Sequence, residues 1–443
     1  MTIVRSLSFD RKGVISDRVL PLRINFLWTL SGNIVYAGSQ WGMLVVLAKL
    51  GTPEMVGQFA LALAVTAPLF MFTNLQLRAV QATDARHNYL FGHYLGLRIV
   101  STILALMLIT VVTLVGGYSW ETTIVILAVG VAKSFESVSD VFFGLLQQHE
   151  RMDRIAISMM IKGPISLIAL STGVLLTDTV FWGALSLSIA WGVLLFSYDV
   201  RSGLLVLMNQ SKGTKAVPIS RQIRAKLLRP IWQIQVLKRL TWLTLPLGFS
   251  MMLISLKSNI PRYFVEYYWG ERQLGIFATM AYLMICGGMV VIALGQSASQ
   301  RLAKQYLSLD RWNFFLLLTK LLGIGALVGF FGLLASVLLG REILTLLYGY
   351  EYAEETYVLR WLMAAAGVSY LASCLNYAMI ALRYLSAMLF LNILVLTAVA
   401  LLCIWLVPLE GLVGAALALL VGHSIYAMMA GAIVSYGIIS MGK

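Results

Sequence analysis

Three ionisable side chains, Lys133, Glu136 and Asp140, stand inside one apolar run of the chain. Spacings of three and four put them on one face of a helix. Lys162, in the next apolar run, falls at a similar depth to Asp140 when each is counted from the same end. An ionisable group in hydrocarbon costs about 3 kcal/mol on insertion scales, so it needs a partner, water or a function. Two chemistries fit these four residues. One is a buried ion-pair network, Lys162 with Asp140 and Lys133 with Glu136, that fixes helix packing. The other is binding of a proton or cation by Glu136 or Asp140 during exchange, since desolvation favours the neutral form of a carboxylate while a nearby lysine opposes it.

A second group is cationic. Lys257 and Arg262 fall in the outer half of a later apolar run, and Arg78 ends the second one. Cations facing an aqueous cavity suit a phosphate or pyrophosphate, while near an interface they serve as anchors. Asn33, Tyr36 and Gln40 share one face of the first apolar run, Asn74 ends the second and Gln296 ends the eighth. Amide and hydroxyl groups of this kind line a hydrated sugar-binding cavity or hold helices together. His87, His93, His149 and His423 have no ligand spacing, and Cys286, Cys374 and Cys403 form no CxxC pair. No metal, disulfide or cofactor is therefore expected. A Ser/His/Asp arrangement and a phosphate-binding glycine loop are also missing, so an enzyme such as a glycan polymerase is disfavoured.

The elements that must position these residues are membrane helices. Of 443 residues, 60% are hydrophobic and 12% charged, and the mean hydropathy is +0.85. Soluble domains carry roughly 25% charged residues. Apolar blocks of about 20 residues match the span of a bilayer as helix. Twelve are predicted, at 25–48, 57–77, 94–115, 121–146, 156–176, 180–199, 240–261, 274–299, 313–338, 358–381, 386–406 and 411–436. The fold class is thus all-α and polytopic. The net charge of +14 reflects the positive-inside bias rather than nucleic-acid binding. The N-terminus, the loops after even-numbered spans and the C-terminal tail hold 23 of the 33 Lys and Arg residues. Lys49, Arg262, Arg272 and Arg341 lie on the other side. Both termini are expected to face the cytoplasm. The stretch 200–239 has nine basic residues and no acid, as expected of a linker lying on anionic lipid.

The chain also repeats itself. Gly57-Gln58-Phe59-Ala60 opens the second span and Gly275-Ile276-Phe277-Ala278 the eighth. Ser137-x-x-Asp140 is matched by Ser373-x-x-Asn376, and Gly183-Ala184 by Gly414-Ala415. The order is kept, which predicts a six-plus-six repeat: an N-lobe over 1–199, the linker 200–239, and a C-lobe over 240–443. Transporters built from such repeats bind cargo between the halves.

With these motifs in view, the chain resembles a known family. Its features are Asn25-Phe26-Leu27-Trp28 to Gln40-Trp41, Leu245-Pro246-Leu247-Gly248 to Asn259-Ile260-Pro261-Arg262-Tyr263-Phe264, and Leu347-Tyr348-Gly349-x-Glu351-Tyr352-Ala353. It is similar to the polysaccharide repeat-unit flippases of the O-antigen type, within the multidrug/oligosaccharidyl-lipid/polysaccharide exporter superfamily. Pro261 stands where members carry an acid before the Arg-Tyr pair. The resemblance implies a V-shaped pair of six-helix lobes in the bacterial inner membrane, acting as a monomer by alternating access. It implies an undecaprenyl-pyrophosphate-linked oligosaccharide as cargo, with membrane lipids and a polysaccharide polymerase or export machinery as partners. Spans one, two, seven and eight would line the cavity, with Asn33, Tyr36, Gln40, Asn74, Arg78, Lys257, Arg262 and Gln296 as cargo contacts. A multidrug antiporter of the same superfamily is the alternative, and spans one, two, seven and eight as bounded above hold no Asp or Glu to attract an organic cation.

Overall fold

The computed structural model describes residues 21–84, 88–211 and 227–441. Parts of the basic linker (212–226), and the basic residues before 21 and at 443, lie outside the described residues. Helices account for nearly all the rest, and no strand occurs among the described residues. In hydrocarbon a helix satisfies its own backbone groups, which is why these apolar runs take no other form.

Among the described residues twelve helices are long enough to span, α6 counted with its continuation. They are α1 (Leu22–Leu50), α2 (Pro53–Thr73), α3 (Phe91–Val115), α4 (Trp120–Gln148), α5 (Met152–Thr177) and α6 (Val180–Leu194). α6 continues through a π turn, Leu195–Asp199, into Val200–Ser211. The run Ile234–Leu307 breaks at Gly270 into α7 (234–269) and α8 (271–307). α9 is Arg311–Leu338 and α10 is Thr356–Ala381, and Leu385–Ser440 breaks at Gly411 into α11 (385–410) and α12 (412–440). Helix thus occupies both ends of the 200–239 stretch. Gly270 and Gly411 have φ of 79° and 58°, a region that carries little penalty only without a β-carbon. The chain reverses there with almost no loop. Other ends are set by capping. Thr52 precedes Pro53 at the first helical position of α2, and the Ser119 hydroxyl accepts the Thr122 N–H at 3.2 Å. Asp310 accepts the Asn313 N–H at 3.1 Å, and its carboxyl is held below the usual range by the hydrogen bonds from Asn313.

The packing of one half recurs in the other, as two six-helix lobes. α1 lies against α5, where Gly32 meets Ala156, and α7 lies against α11, where the Trp269 indole donates to the Val407 carbonyl at 2.9 Å. α3 reaches α4 through Arg98 and Asp140, and α9 reaches α10 where Gly329 meets Gly367. Gly183 in α6 packs on Leu170 of α5, and Gly414 in α12 packs on the Leu406 carbonyl of α11. These are the correspondences that the repeated motifs predict. Large apolar side chains such as Leu114, Val115, Leu176 and Trp405 point outward, as a lipid-facing surface requires.

Candidate functional site

α2 does not run straight to its predicted end. After Asn74 the chain puts Leu75 and Gln76 in the left-handed region, both at φ 51°, and restarts as a short helix, Leu77–Thr83. Two consecutive non-glycine residues there are strained. The break shapes the site. It turns the Asn74 amide oxygen onto the Ser137 hydroxyl (2.6 Å) and the Arg98 guanidinium. It also places Arg78 on the new helix, where Nε donates to Gln147 Oε1 at 3.0 Å and Nη1 lies 3.5 Å from Asp140 Oδ1. Arg98 donates to the other Asp140 oxygen at 3.1 Å.

One expectation changes here. Asp140 pairs with Arg98 and Arg78, not with Lys162. Arg98 is fully buried, because its helix face points at α4 rather than at the membrane surface. The pairing of Lys133 with Glu136 is present at 2.7 Å. Glu136 also accepts the Tyr36 hydroxyl at 2.5 Å, which ties α1 to α4. Lys162 is buried with its ammonium 5.4 Å from the centre of the Phe143 ring and 5.5 Å from that of Trp191. Its Nζ has no hydrogen-bond partner among the described residues. Nearby, the π turn carries Asp199 inward, where it accepts from Ser139 at 2.7 Å and Ser158 at 2.6 Å. A mid-helix π turn often marks a functional site.

A cavity of about 560 Å³ joins these groups. Tyr36, Asn74, Arg78, Glu136, Asp140 and Lys162 line it, together with Lys133. The structure therefore gathers Tyr36, Asn74 and Arg78 with the ion-pair group, but not the other predicted contacts. Lys257 lies elsewhere, donating to Asn392 Oδ1 at 2.9 Å with its ammonium 5.0 Å from the Tyr426 ring centre. Arg262 donates to Asn259 Oδ1 at 2.9 Å. Neither cation has a carboxylate partner within ion-pair distance among the described residues. Gln40 is partly buried with its amide nitrogen unpartnered, whereas Asn33 and Gln296 are exposed.

The lobes meet tightly on the side away from the start of α1 and the end of α12. There Gln58 Nε2 donates to Glu271 Oε2 at 2.9 Å, and the Thr122 hydroxyl donates to the other oxygen. Arg272 bridges Glu54 (3.0 Å) and Glu351 (2.9 Å). The Trp41 indole donates to the Tyr348 hydroxyl at 3.0 Å, which donates to the Thr279 carbonyl at 3.2 Å. Burial pushes the Tyr348 phenol up to about 12. At the opposite side α1 and α8 leave Phe26, Ile34, Val290 and Ile292 exposed.

Arg98, Asp199, Glu271 and Arg272 are the residues that sequence reasoning passed over. Arg98 and Asp199 had a usable signal, a charge within or at the edge of an apolar run. Glu271 and Arg272 had none, since a charge in a short loop is ordinarily solvated. Among the described residues no group of His, Cys, Asp and Glu could hold a metal.

With this geometry in place, comparison with known proteins is informative. A family profile described as "Polysaccharide biosynthesis protein" matches residues 22–299. The capsular polysaccharide biosynthesis protein CapF of Staphylococcus aureus is 31% identical over 339 residues, covering 76% of this chain and 79% of CapF. Among solved structures, the lipid II flippase MurJ in an inward closed conformation is similar at a TM-score of 0.70 and 13% identity, over 95% of this chain and 90% of MurJ. An inward-facing multidrug-resistance MATE transporter is similar at 0.62 and 13% identity, over 96% and 97%. At such identities the structural likeness speaks for the fold. A profile matching more than half of the chain, and a relative covering three quarters of it, carry the assignment further: the chain belongs to the polysaccharide biosynthesis protein family, with the membrane-transporter fold of the multidrug/oligosaccharidyl-lipid/polysaccharide superfamily.

Proposed function

We propose that this protein is a flippase that moves an undecaprenyl-pyrophosphate-linked oligosaccharide across the bacterial cytoplasmic membrane. The observation that carries the reading is the pair Lys257 and Arg262, two membrane-depth cations with no carboxylate within ion-pair distance among the described residues. A cation at membrane depth without a counter-charge calls for an anionic partner. The family, and a relative named for capsular polysaccharide biosynthesis, support the glycan part of the reading.

The cleft opens on the side that the positive-inside rule makes cytoplasmic, with both termini there. The pyrophosphate meets Arg78 first and then Lys257. Asn33, Gln40 and Gln296 offer amides to the glycan, and the polyprenyl chain stays in lipid between α1 and α8. The lobes 1–199 and 240–443 then rock about the linker 200–239, and the far side opens. Nothing is cleaved or formed in the cargo, so no catalytic residue or cofactor is required.

The test is leaflet translocation in proteoliposomes, with a labelled undecaprenyl-pyrophosphate oligosaccharide beside a fluorescent organic cation. Movement of the glycolipid above protein-free and Lys257→Ala controls is expected. Movement of the cation alone, under an imposed gradient, would place the protein with the drug antiporters and turn attention to Glu136 and Asp140.

A further inference from the structure

Lys162 sits in the wall of the N-lobe cavity, 2% exposed, with its ammonium nitrogen unpartnered among the described residues. An ammonium has three donors, and leaving them unmet in a buried place is costly. The Phe143 and Trp191 rings attract its charge but cannot replace directional acceptors. The carboxylates close enough to act on it are engaged by others. Glu136 takes Lys133 and Tyr36, Asp140 takes Arg98 and Arg78, and Asp199 takes Ser139 and Ser158. An acceptor is therefore missing, and the cavity before Lys162 is roomy enough to admit one.

A second cation reaches the same place. Arg78 lines the cavity too, and its guanidinium carbon lies 5.5 Å from the centre of the same Phe143 ring. Its side chain is 35% exposed, and its 3.5 Å contact with Asp140 is long beside the roughly 2.8 Å of a firm charge-assisted hydrogen bond. Arg98 already holds the other oxygen of Asp140, so Arg78 can turn to a ligand without stranding that carboxylate.

We infer that the N-lobe cavity is a phosphate-binding subsite, in which an oxyanion of the cargo's pyrophosphate docks against Lys162 and Arg78, apart from Lys257 and Arg262. This rests on the flippase reading and adds to it a specific place where the diphosphate is held. Lys162 is the buried anchor and Arg78 the partly exposed second contact. The donor set suits an oxyanion, whether attached to a lipid or free in solution.

The experiment uses purified full-length protein, with inorganic pyrophosphate and farnesyl pyrophosphate as calorimetric probes, and glycolipid translocation as a separate readout. Lys162→Met is expected to weaken pyrophosphate binding at least about tenfold, as loss of a hydrogen bond to a charged group implies. Lys162→Arg keeps the charge and retains most of the binding, and Lys320→Met, at an exposed position of α9 outside this cavity, leaves inorganic pyrophosphate binding within about threefold. Wild-type binding by Lys162→Met overturns the subsite. So does recovery of binding in Lys162→Met with Glu136→Gln, which would make Lys162 a structural counter-charge. Lys162-dependent binding combined with unimpaired glycolipid translocation by Lys162→Met shows a site for free phosphate and overturns its role for cargo. If wild-type protein moves no glycolipid but binds pyrophosphate through Lys162, the flippase reading fails and the oxyanion site stands.

Discussion

Gly57 and Gly275 lie face to face where α2 crosses the start of α8. A β-carbon on Gly275 would come within 1.9 Å of the Pro53 carbonyl oxygen and 2.9 Å of the Gly57 nitrogen. One on Gly57 would come within 1.9 Å of the Glu271 carbonyl oxygen. The two copies of the repeated Gly-x-Phe-Ala motif thus form the contact that shuts the far side of the cleft, and each makes room for the other's backbone.

Because the obstacles are backbone atoms, Gly275→Ala must push the two helices apart. Overpacking of this kind costs about 1–3 kcal/mol, which shifts a two-state equilibrium roughly 5- to 150-fold. Cross-linking of cysteines placed at Gln58 and Glu271, with Cys286, Cys374 and Cys403 replaced, reads the closed state directly. The yield is expected to fall sharply in Gly275→Ala. An unchanged yield would show that the far side closes by other contacts.

The Arg272 bridge to Glu54 and Glu351 is solvent-exposed, so it is screened by salt and contributes modestly to closure. Arg272→Ala should lower the same cross-linking yield at low salt and have little effect at high salt. Arg272→Glu should open the far side further through repulsion, and Glu54→Arg should restore it. Failure of that charge swap would remove the bridge from the gate.

Arg98 is buried with Asp140 as its ionic partner, whereas Arg78 is partly exposed. Breaking a buried pair by removing one partner costs about 3–5 kcal/mol. Arg98→Leu is therefore expected to lower thermal stability in detergent far more than Arg78→Leu does. Similar losses for both would mean that the Asn74–Ser137–Asp140 group is not organised around Arg98.

Lys257 shows the opposite balance. Its partners are a neutral amide and an aromatic ring, so Lys257→Ala strands no charge. Expression and thermal stability should stay near wild type, while glycolipid translocation falls at least about tenfold, the size expected for loss of one charged contact. Normal translocation by this variant would exclude Lys257 from the cargo path.

Much was legible without coordinates. Hydropathy alone places the twelve spans, because a bilayer leaves an apolar run of this length no other fold. The six-plus-six repeat followed from small motifs in constant order. The pairing of Lys133 with Glu136 followed from helical spacing, which is local.

Partners across helices were not legible, because they depend on which faces meet. The choice of Arg98 over Lys162 for Asp140 is set by the rotation of α3 and by the left-handed turn at Leu75 and Gln76. Neither residue of that turn is a glycine, so nothing in its composition announces it. The isolation of Lys162 is likewise a tertiary fact, since it exists only because Glu136, Asp140 and Asp199 are engaged by other residues. The amino-acid sequence by itself determined how many helices cross the membrane and where they repeat, through hydrophobic burial and backbone hydrogen bonding. Only the tertiary structure decided which charges neutralise one another and which stand without a counter-charge, because Coulomb interactions in a low-dielectric interior depend on distances of a few ångströms between segments far apart in the chain.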